Sequence, residues 1–564
     1  MTSPILVRYF AAAALGTASL LTACSDEPLN VTNPNQPDIT LAFGNANNVE
    51  AVTAKLFQQM FNGQYGASDD IWTQAVVLSF ESSSQLGNFG MGTRSIIARP
   101  LIDNSIGNSV AIGNYRDYDH LSRNTRSATN AIAAANGFGV AGFGSPARLA
   151  RAKSFGYFAL GYGLGHLSLI YDSAAIVTPA TPLSEVPPLS SSAAVNAAAL
   201  AALDSALTIA NSADATSGSG GWPIPKEWWL SSGTAGTGPD RATWIRIIRS
   251  FRAKFRAGVA RTPAERAAVD WTAVIADATN GITEDLTIQS DVQAGWSTAV
   301  IQQMAVSASW SQMTPFILGM ADTAGAYDAW LQQPVLSRTS FLLRTPDRRF
   351  PSGETRAAQT AASGGTSRSG PPAGTILYFR NRPAGEDASN FAWGQWQYDN
   401  HRFWLIRAAG GNGTWVLMSR AESDMLAAEG YLRAGNVAAA IPLIDRYRTR
   451  AGLAPLAGAV TTLTDPVPGG AACVPRVPVA AAVPPMTVCG NIFEAMKWEK
   501  RLETSFTGHS QWFMDARGWG DLYAGTPLEW PVPYQELFAR SRATYLNTRV
   551  APVGTYGFGR SSTY

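Results

Sequence analysis

Apolar residues recur along much of this chain at the spacing of one helix face. In residues 244–261, Trp244, Ile248, Phe251, Phe255 and Val259 fall on a single stripe, and Arg246, Arg249, Arg252 and Arg256 fall elsewhere on the same helix. The pattern predicts a packed scaffold helix with a solvated basic face rather than a membrane-surface helix. Residues 419–452 repeat it twice: Ala421, Met425, Ala428 and Leu432 form one stripe, and Ala440, Ile444, Tyr447 and Ala451 form the facing one. Gly435-Asn436 between them supplies a stop and a new cap, so the segment reads as a helical hairpin of the tetratricopeptide kind. Pro442 is out of place in it. A proline beyond the first turn forfeits a hydrogen bond and costs about 3 kcal/mol, so the second helix is expected to begin after Asn436 or to bend.

Stretches 173–192, 212–221, 231–240, 351–375 and 455–488 are rich in Gly, Pro, Ser, Thr and Ala and read as long surface loops. None has the character of a linker between independent cores. The expected fold is mainly α, a single large domain of tetratricopeptide-like helix pairs with a loop-rich ligand-binding face.

The N-terminus departs from that pattern. Arg8 precedes an apolar run from Ala11 to Leu21, and Leu21-Thr22-Ala23-Cys24 follows, which is the form of a bacterial lipoprotein signal. The run is short for a membrane span, and no later segment approaches 18 uninterrupted apolar residues. The chain is therefore read as a signal peptide over 1–23, a tether over 24–40 that starts at a lipidated Cys24, and a binding domain over 41–564, held to a membrane by lipid alone. Removing the signal takes away Arg8, leaving 43 − 1 = 42 basic against 41 acidic residues. That balance makes no case for nucleic acid.

With Cys24 consumed by lipid, Cys473 and Cys489 are the two cysteines left in an exported protein, and they are expected to form a disulfide around a segment with four prolines. No cofactor or metal site is expected. His120, His166, His401 and His509 each stand alone, with no His-Glu-x-x-His and no Cys-x-x-Cys. There is no Gly-x-Ser-x-Gly elbow or phosphate loop. Residues 137–142 fit Gly-x-Gly-x-x-Gly, but they follow an Ala-rich helical run rather than a strand and read as a loop.

Two segments point to a known family. AESDMLAAEGYLRAGNVAAAIPLIDRYRTRAGL and, downstream, IFEAMKWEKRLETSFTGHSQWFMDARGWGDL resemble paired motifs of the SusD/RagB nutrient-binding outer-membrane lipoproteins. The matching positions are Arg420, Glu422, Gly435, Arg448, Arg450, Glu503, Phe506, Gly508, Asp515, Arg517 and Gly520, with Thr507 where the family usually has Glu. Residues 147–172 are similar to the family's N-terminal helix and WPVPYQEL to a segment near its end, while the middle third matches nothing. The resemblance implies a protein without catalytic activity on the outside of the outer membrane. It would bind an oligosaccharide or peptide and deliver it to a SusC-like TonB-dependent transporter.

Aromatic residues suggest where the ligand would lie. FAWGQWQYDNHRFW sets Trp393, Trp396 and Tyr398 beside Asn400 and Arg402, and rings flanked by amide and guanidinium donors suit a sugar's apolar face and hydroxyl rim. Their alternation suggests an extended loop presenting the rings to solvent. Trp228 and Trp229, between two loop stretches, form a second cluster with Trp222, Lys226 and Glu227; Asn88 and Phe89 lie in an early loop that often contributes to the pocket in the family. Two alternatives stand beside this reading. One is a surface glycoside hydrolase using a carboxylate pair such as Glu227 and Asp240, which needs a separation of about 5 to 9.5 Å. The other is a helical-repeat adaptor that binds protein.

Overall fold

Helix starts are set by short polar side chains placed just ahead of apolar stripes. Asn45, Asp70, Ser145, Ser191, Asp240 and Asp270 each accept the backbone N–H three residues on. They open α1 (Ala46–Tyr65), α2 (Ile71–Leu78), α4 (Pro146–Ile170), α5 (Ser192–Asn211), α6 (Arg241–Gly258) and α7 (Trp271–Thr279), each cap being worth about 1 kcal/mol. α3 (Ile112–Phe143) starts without a side-chain cap. Ser419, Asn436 and Asn491 open α8 (Arg420–Arg433), α9 (Val437–Arg450) and α10 (Ile492–Glu503), and α11 (Gln511–Trp519) follows. The computed structural model describes residues 42–560 apart from 85–87, 97, 230–237, 300, 302–311, 366–369 and 388–395.

Helices adjacent in sequence are largely adjacent in space. α1 and α4 pack on α3, α4 on α5, α5 on α6, α6 on α7, α7 on α8, and α8 on α9 and α10. Small residues in α4 let α5 and α6 come close: a Cβ at Gly165 would lie 2.3 Å from the Phe255 ring, and one at Gly161 2.6 Å from Leu203. Among the described residues four two-stranded antiparallel ribbons join the helices: β1 (Ser173–Ala175) with β2 (Leu189–Ser191), β3 (Leu286–Ser290) with β6 (Gly413–Met418), β4 (Phe379–Asn381) with β5 (Tyr398–Asn400), and β7 (Arg476–Pro478) with β8 (Thr487–Cys489). The main core runs from α1 to the C-terminal segment, and a smaller cluster holds the two predicted stripes of α8 and α9 except Ala451, which joins the main core.

The helical hairpin at 419–452 is present. α9 begins at Val437, directly after its cap Asn436, and runs through Pro442. Pro442 is exposed, so the carbonyl left without its helical partner lies on the solvent side. The basic face of α6 is less solvated than expected. Arg249, Arg252 and Arg256 reach Asp277 of α7 at 3.5, 3.4 and 3.4 Å. The stretch 137–142 is helical on both sides of a kink at Gly139, whose φ of 56° and ψ of −163° only glycine adopts freely. Within the 351–375 loop a short helix, Arg356–Ala362, has formed.

Among the described residues α5 is long and apolar enough to cross a membrane by composition. In this fold its Val195, Ala199, Leu203 and Ala206 stripe is buried, and Asp204 pairs with Arg252 at 3.1 Å.

Candidate functional site

The ionisable residues of the two family-like segments are engaged in the scaffold. Glu503 takes Arg349 at 3.1 Å and also Arg450. Arg448 stands 3.7 Å from Glu499 and donates to the Val474 carbonyl. Asp515 accepts from Lys500 at 2.7 Å and Arg266 at 3.2 Å, and Arg266 also grips Glu429 at 2.6 Å. Arg517 donates to the carbonyls of Leu169, Gly258 and Leu528, closing the C-terminal ends of α4 and α6. Glu503, Arg448, Asp515 and Arg266 are held by charged partners on neighbouring elements and Arg517 by carbonyls alone, the arrangement of structural ties rather than of a catalytic group.

Tertiary packing also assembles an acid–base group that no sequence motif foreshadows. Asp117 Oδ1 faces His509 Nε2 at 2.9 Å, and its Oδ2 accepts the Ile71 N–H at 3.0 Å. His166 lies 5.8 Å from the His509 ring, and Lys254 bridges Glu422 at 3.0 Å and Gln511 at 2.8 Å. Burial, with His509 and Lys254 adding to it, pushes His166 well below the usual histidine range; burial and Asp117 push Asp70 well above the carboxylate range. All of these side chains are buried, so the group has no access to a substrate and serves as a polar core. Its members come from α2, α3, α4, α6, α8 and the start of α11, which is why spacing could not reveal it.

The aromatic platform is corrected. Trp396 and Tyr398 are 1% and 0% exposed, and Asn400 is 1% exposed. They lie on β5 or just before it, and all three residues of both β4 and β5 are buried, so alternation there does not imply a solvent face. Trp396 packs on Phe341 at 5.3 Å and on Tyr398 at 4.6 Å. Asn400 contacts Ser505 Oγ at 3.4 Å, and Arg402 donates to the Glu503 carbonyl while its guanidinium covers the Tyr378 ring at 4.5 Å. Trp228 and Trp229 are core as well: Trp229 stacks on Phe57 at 4.2 Å, and Trp228 meets Phe155 at 5.1 Å. Asn88 opens a single turn, Asn88–Gly90, and Phe89 sits half-buried on the core with φ of 56°. Trp393 and Cys24 lie outside the described residues.

The chain just ahead of Asn88 and the β4–β5 ribbon are nevertheless joined through Gln312, while the Trp228–Trp229 segment is not part of that junction. Ser83 and Gln312 exchange backbone hydrogen bonds of 2.8 and 3.0 Å. Gln312 Oε1 then accepts from Arg382 at 2.9 Å and from the Trp396 N–H at 3.3 Å. The early loop, the 312–316 segment and the β4–β5 ribbon are thus joined on one side of the fold. Beyond β5 the chain forms a concavity of about 630 Å3 lined by Arg402, Phe403, Leu405, Ile406, Asn412 and Thr414. Leu405 is 62% exposed there and Trp404 is half-buried nearby. An apolar floor with amide, hydroxyl and guanidinium groups at its rim can hold a polyhydroxylated ligand without covalent chemistry. Sequence reading singled out this region but chose its rings. The only signal for Leu405, Asn412 and Thr414 was their place around the Gly410-Gly411-Asn412-Gly413 turn.

The proposed hydrolase pair finds no support in this geometry. Asp240 caps α6, and the Thr243 backbone and hydroxyl hold its carboxyl below the usual range, the reverse of what a general acid requires. Cys473 and Cys489 are disulfide-bonded, with a Cα separation of 5.7 Å.

No family model matches the sequence and no curated protein does. Solved structures do match. A SusD superfamily protein from Parabacteroides distasonis ATCC 8503 aligns with a TM-score of 0.54 at 11% identity, covering 89% of this chain and 98% of that one. A SusD homolog from the same organism gives 0.52 at 13% identity over 83% and 84%. A SusD superfamily protein from Bacteroides thetaiotaomicron VPI-5482 gives 0.50 at 11% over 90% and 100%. The fold is of the SusD/RagB type.

Proposed function

We propose that this protein is a lipid-anchored nutrient-binding protein of the outer membrane, facing the cell exterior. It binds an oligosaccharide, or in a second variant of the same role a peptide, and delivers it to a SusC-like TonB-dependent transporter. The SusD-type fold carries this reading. The Leu21-Thr22-Ala23-Cys24 signal supports the anchor, and the 402–414 concavity offers a loop-borne surface for the ligand. Retention comes from apolar contact and hydrogen bonding, with no bond made or broken in the ligand, and release follows from a change in how the protein sits over its transporter.

Two measurements test this. Cys24→Ser should move the protein from the membrane to the soluble fraction, and an unchanged membrane fraction rejects the anchor. A glycan array paired with a reducing-end release assay should give binding without cleavage. Cleavage would favour the hydrolase, and neither signal would leave the protein-binding adaptor.

A further inference from the structure

The rim of the 402–414 concavity carries cations whose counter-charge is buried beneath them. Arg402 lines the concavity, half-buried, with its guanidinium 4.5 Å from the centre of the Tyr378 ring and 5.2 Å from that of Phe403. At the hydroxyl end of the same tyrosine, Arg450 donates to Tyr378 Oη at 3.0 Å, and Arg348 donates to the Arg450 carbonyl at 2.8 Å. The three arginines form a strip that starts at the rim and crosses one tyrosine.

Arg450 is 45% exposed, whereas its partner Glu503 is 3% exposed. Burial raises the Glu503 carboxyl, but Arg349, Arg450 and Arg402 outweigh it and hold it below the usual range, so one sealed carboxylate has three cations around it. Arg349 is itself taken by Asp347 at 2.7 Å and Glu499 at 2.8 Å, both buried. Arg348 is exposed. It and Arg402 donate to backbone carbonyls, of Arg450 and Glu503, and neither makes an ion pair with a described residue. A guanidinium has five N–H donors, so each keeps donors for a ligand. Among the described residues no Asp or Glu lines the concavity.

We propose that the nutrient held at this concavity is an anionic oligosaccharide with carboxylates on successive rings, as in a uronate chain. This rests on the nutrient-binding reading above and names the class of glycan. One carboxylate meets Arg402, whose planar fork suits two parallel hydrogen bonds and whose plane is already fixed on Tyr378 and Phe403. A carboxylate on a neighbouring ring meets Arg450 or Arg348. Leu405 supplies apolar contact, and Asn412 and Thr414 take hydroxyls. Cations held in place before binding lose little freedom when the ligand arrives.

The probes are an α-1,4-linked galacturonate trimer and a β-1,4-linked mannuronate trimer, with their methyl esters as uncharged controls of the same skeleton, titrated calorimetrically into the mature chain at neutral pH and low salt. At least one acid trimer should bind about tenfold or more tightly than its ester, and added salt should weaken the acid but not the ester. Arg402→Gln and Arg348→Gln should each lower the acid's affinity about fivefold or more and leave the ester's as it was, with Arg402→Lys, which keeps the charge and loses the fork, falling between. Leu405→Glu, at an exposed position, puts a carboxylate into the concavity and should weaken the acid more than the ester. Arg348 and Leu405 are both exposed, and unchanged melting of their variants confirms the fold. Arg123→Gln, on the exposed side of α3, should leave acid binding unchanged. No heat with either acid trimer, equal affinity for acid and ester, or acid binding indifferent to Arg402→Gln, Arg348→Gln and Leu405→Glu would overturn the proposal. Neutral glycans bound on the array beside any of those results would leave the nutrient-binding reading standing, and an array without binding would remove that reading too.

Discussion

Trp396 donates its indole N–H to the Phe341 carbonyl at 2.9 Å and is 1% exposed. Replacing it by Ala should therefore cost about 3–5 kcal/mol of stability, the range for deleting a core aromatic, measurable by chemical denaturation. A loss under about 1 kcal/mol would show that the ring is not core. Glu81 presents the opposite case of a polar group sealed inside. Burial pushes its carboxyl up to about 8, against the Phe506 N–H at 2.7 Å and the Ser505 hydroxyl, which pull it down. The folded chain thus keeps a proton that the unfolded chain releases near pH 4.5. The stability tied to that proton is fully present below that pH and is lost as pH rises toward about 8. Glu81→Gln should flatten this decline, by up to about 1.4 kcal/mol per pH unit across the window, in denaturation curves taken at successive pH values. The same slope in wild type and variant would refute it.

Elements here are fastened as much by polar ties as by apolar stripes. Asp277 of α7 gathers three arginines from α6, and Arg517 of α11 closes two helix ends at once. The β7–β8 ribbon has little core of its own, with Val479, Val483, Met486 and Val488 exposed in and around its turn. Its hold on the second cluster runs through Cys473, which is buried in that cluster, and through the bond to Cys489. The bridge spans 16 residues, and on the chain-entropy model its loss costs about 3 kcal/mol. The double Cys473→Ser, Cys489→Ser variant should lose that much while keeping its helical circular dichroism. Equal stability of the variant and the oxidised wild type would count against the bridge as a stabiliser.

Across the whole molecule, a buried ionic chain joins the helix-repeat elements to the C-terminal segment. Glu429 on α8 holds Arg266, which reaches Asp515 on α11, which in turn takes Lys500 on α10. Burial raises Glu429, but Arg266, Lys500 and Arg433 outweigh it and hold the carboxyl at about 2. A carboxyl lowered in this way contributes stability above its unfolded value of 4.5 and loses it as pH falls toward about 2. Glu429→Gln leaves Arg266 short of a buried counter-charge and should destabilise the fold by about 3–5 kcal/mol at neutral pH. The variant should also lose part of the wild type's sensitivity to acid. Parallel acid unfolding curves with equal midpoints would show that the network does not couple these elements.

What the sequence by itself determined is the part governed by local periodicity and local chemistry. The stripes of α6, α8 and α9 repeat every three to four residues because one face of each helix is buried, and Asp240, Ser419 and Asn436 mark helix starts because a cap acts on the N–H three residues away. The Cys473–Cys489 bridge was legible for a similar reason, since only two cysteines were left to pair. Tertiary structure decided everything that depends on which faces are covered. Trp229, Trp396 and Tyr398 carry the same side chains whether they meet sugar or core, and the covering of both faces of β5 settled that question. Pro442 lies inside a helix because the carbonyl it strands faces solvent. Asp117, His166 and His509 meet only because α3, α4 and the start of α11 pack together, a proximity that no spacing along the chain records.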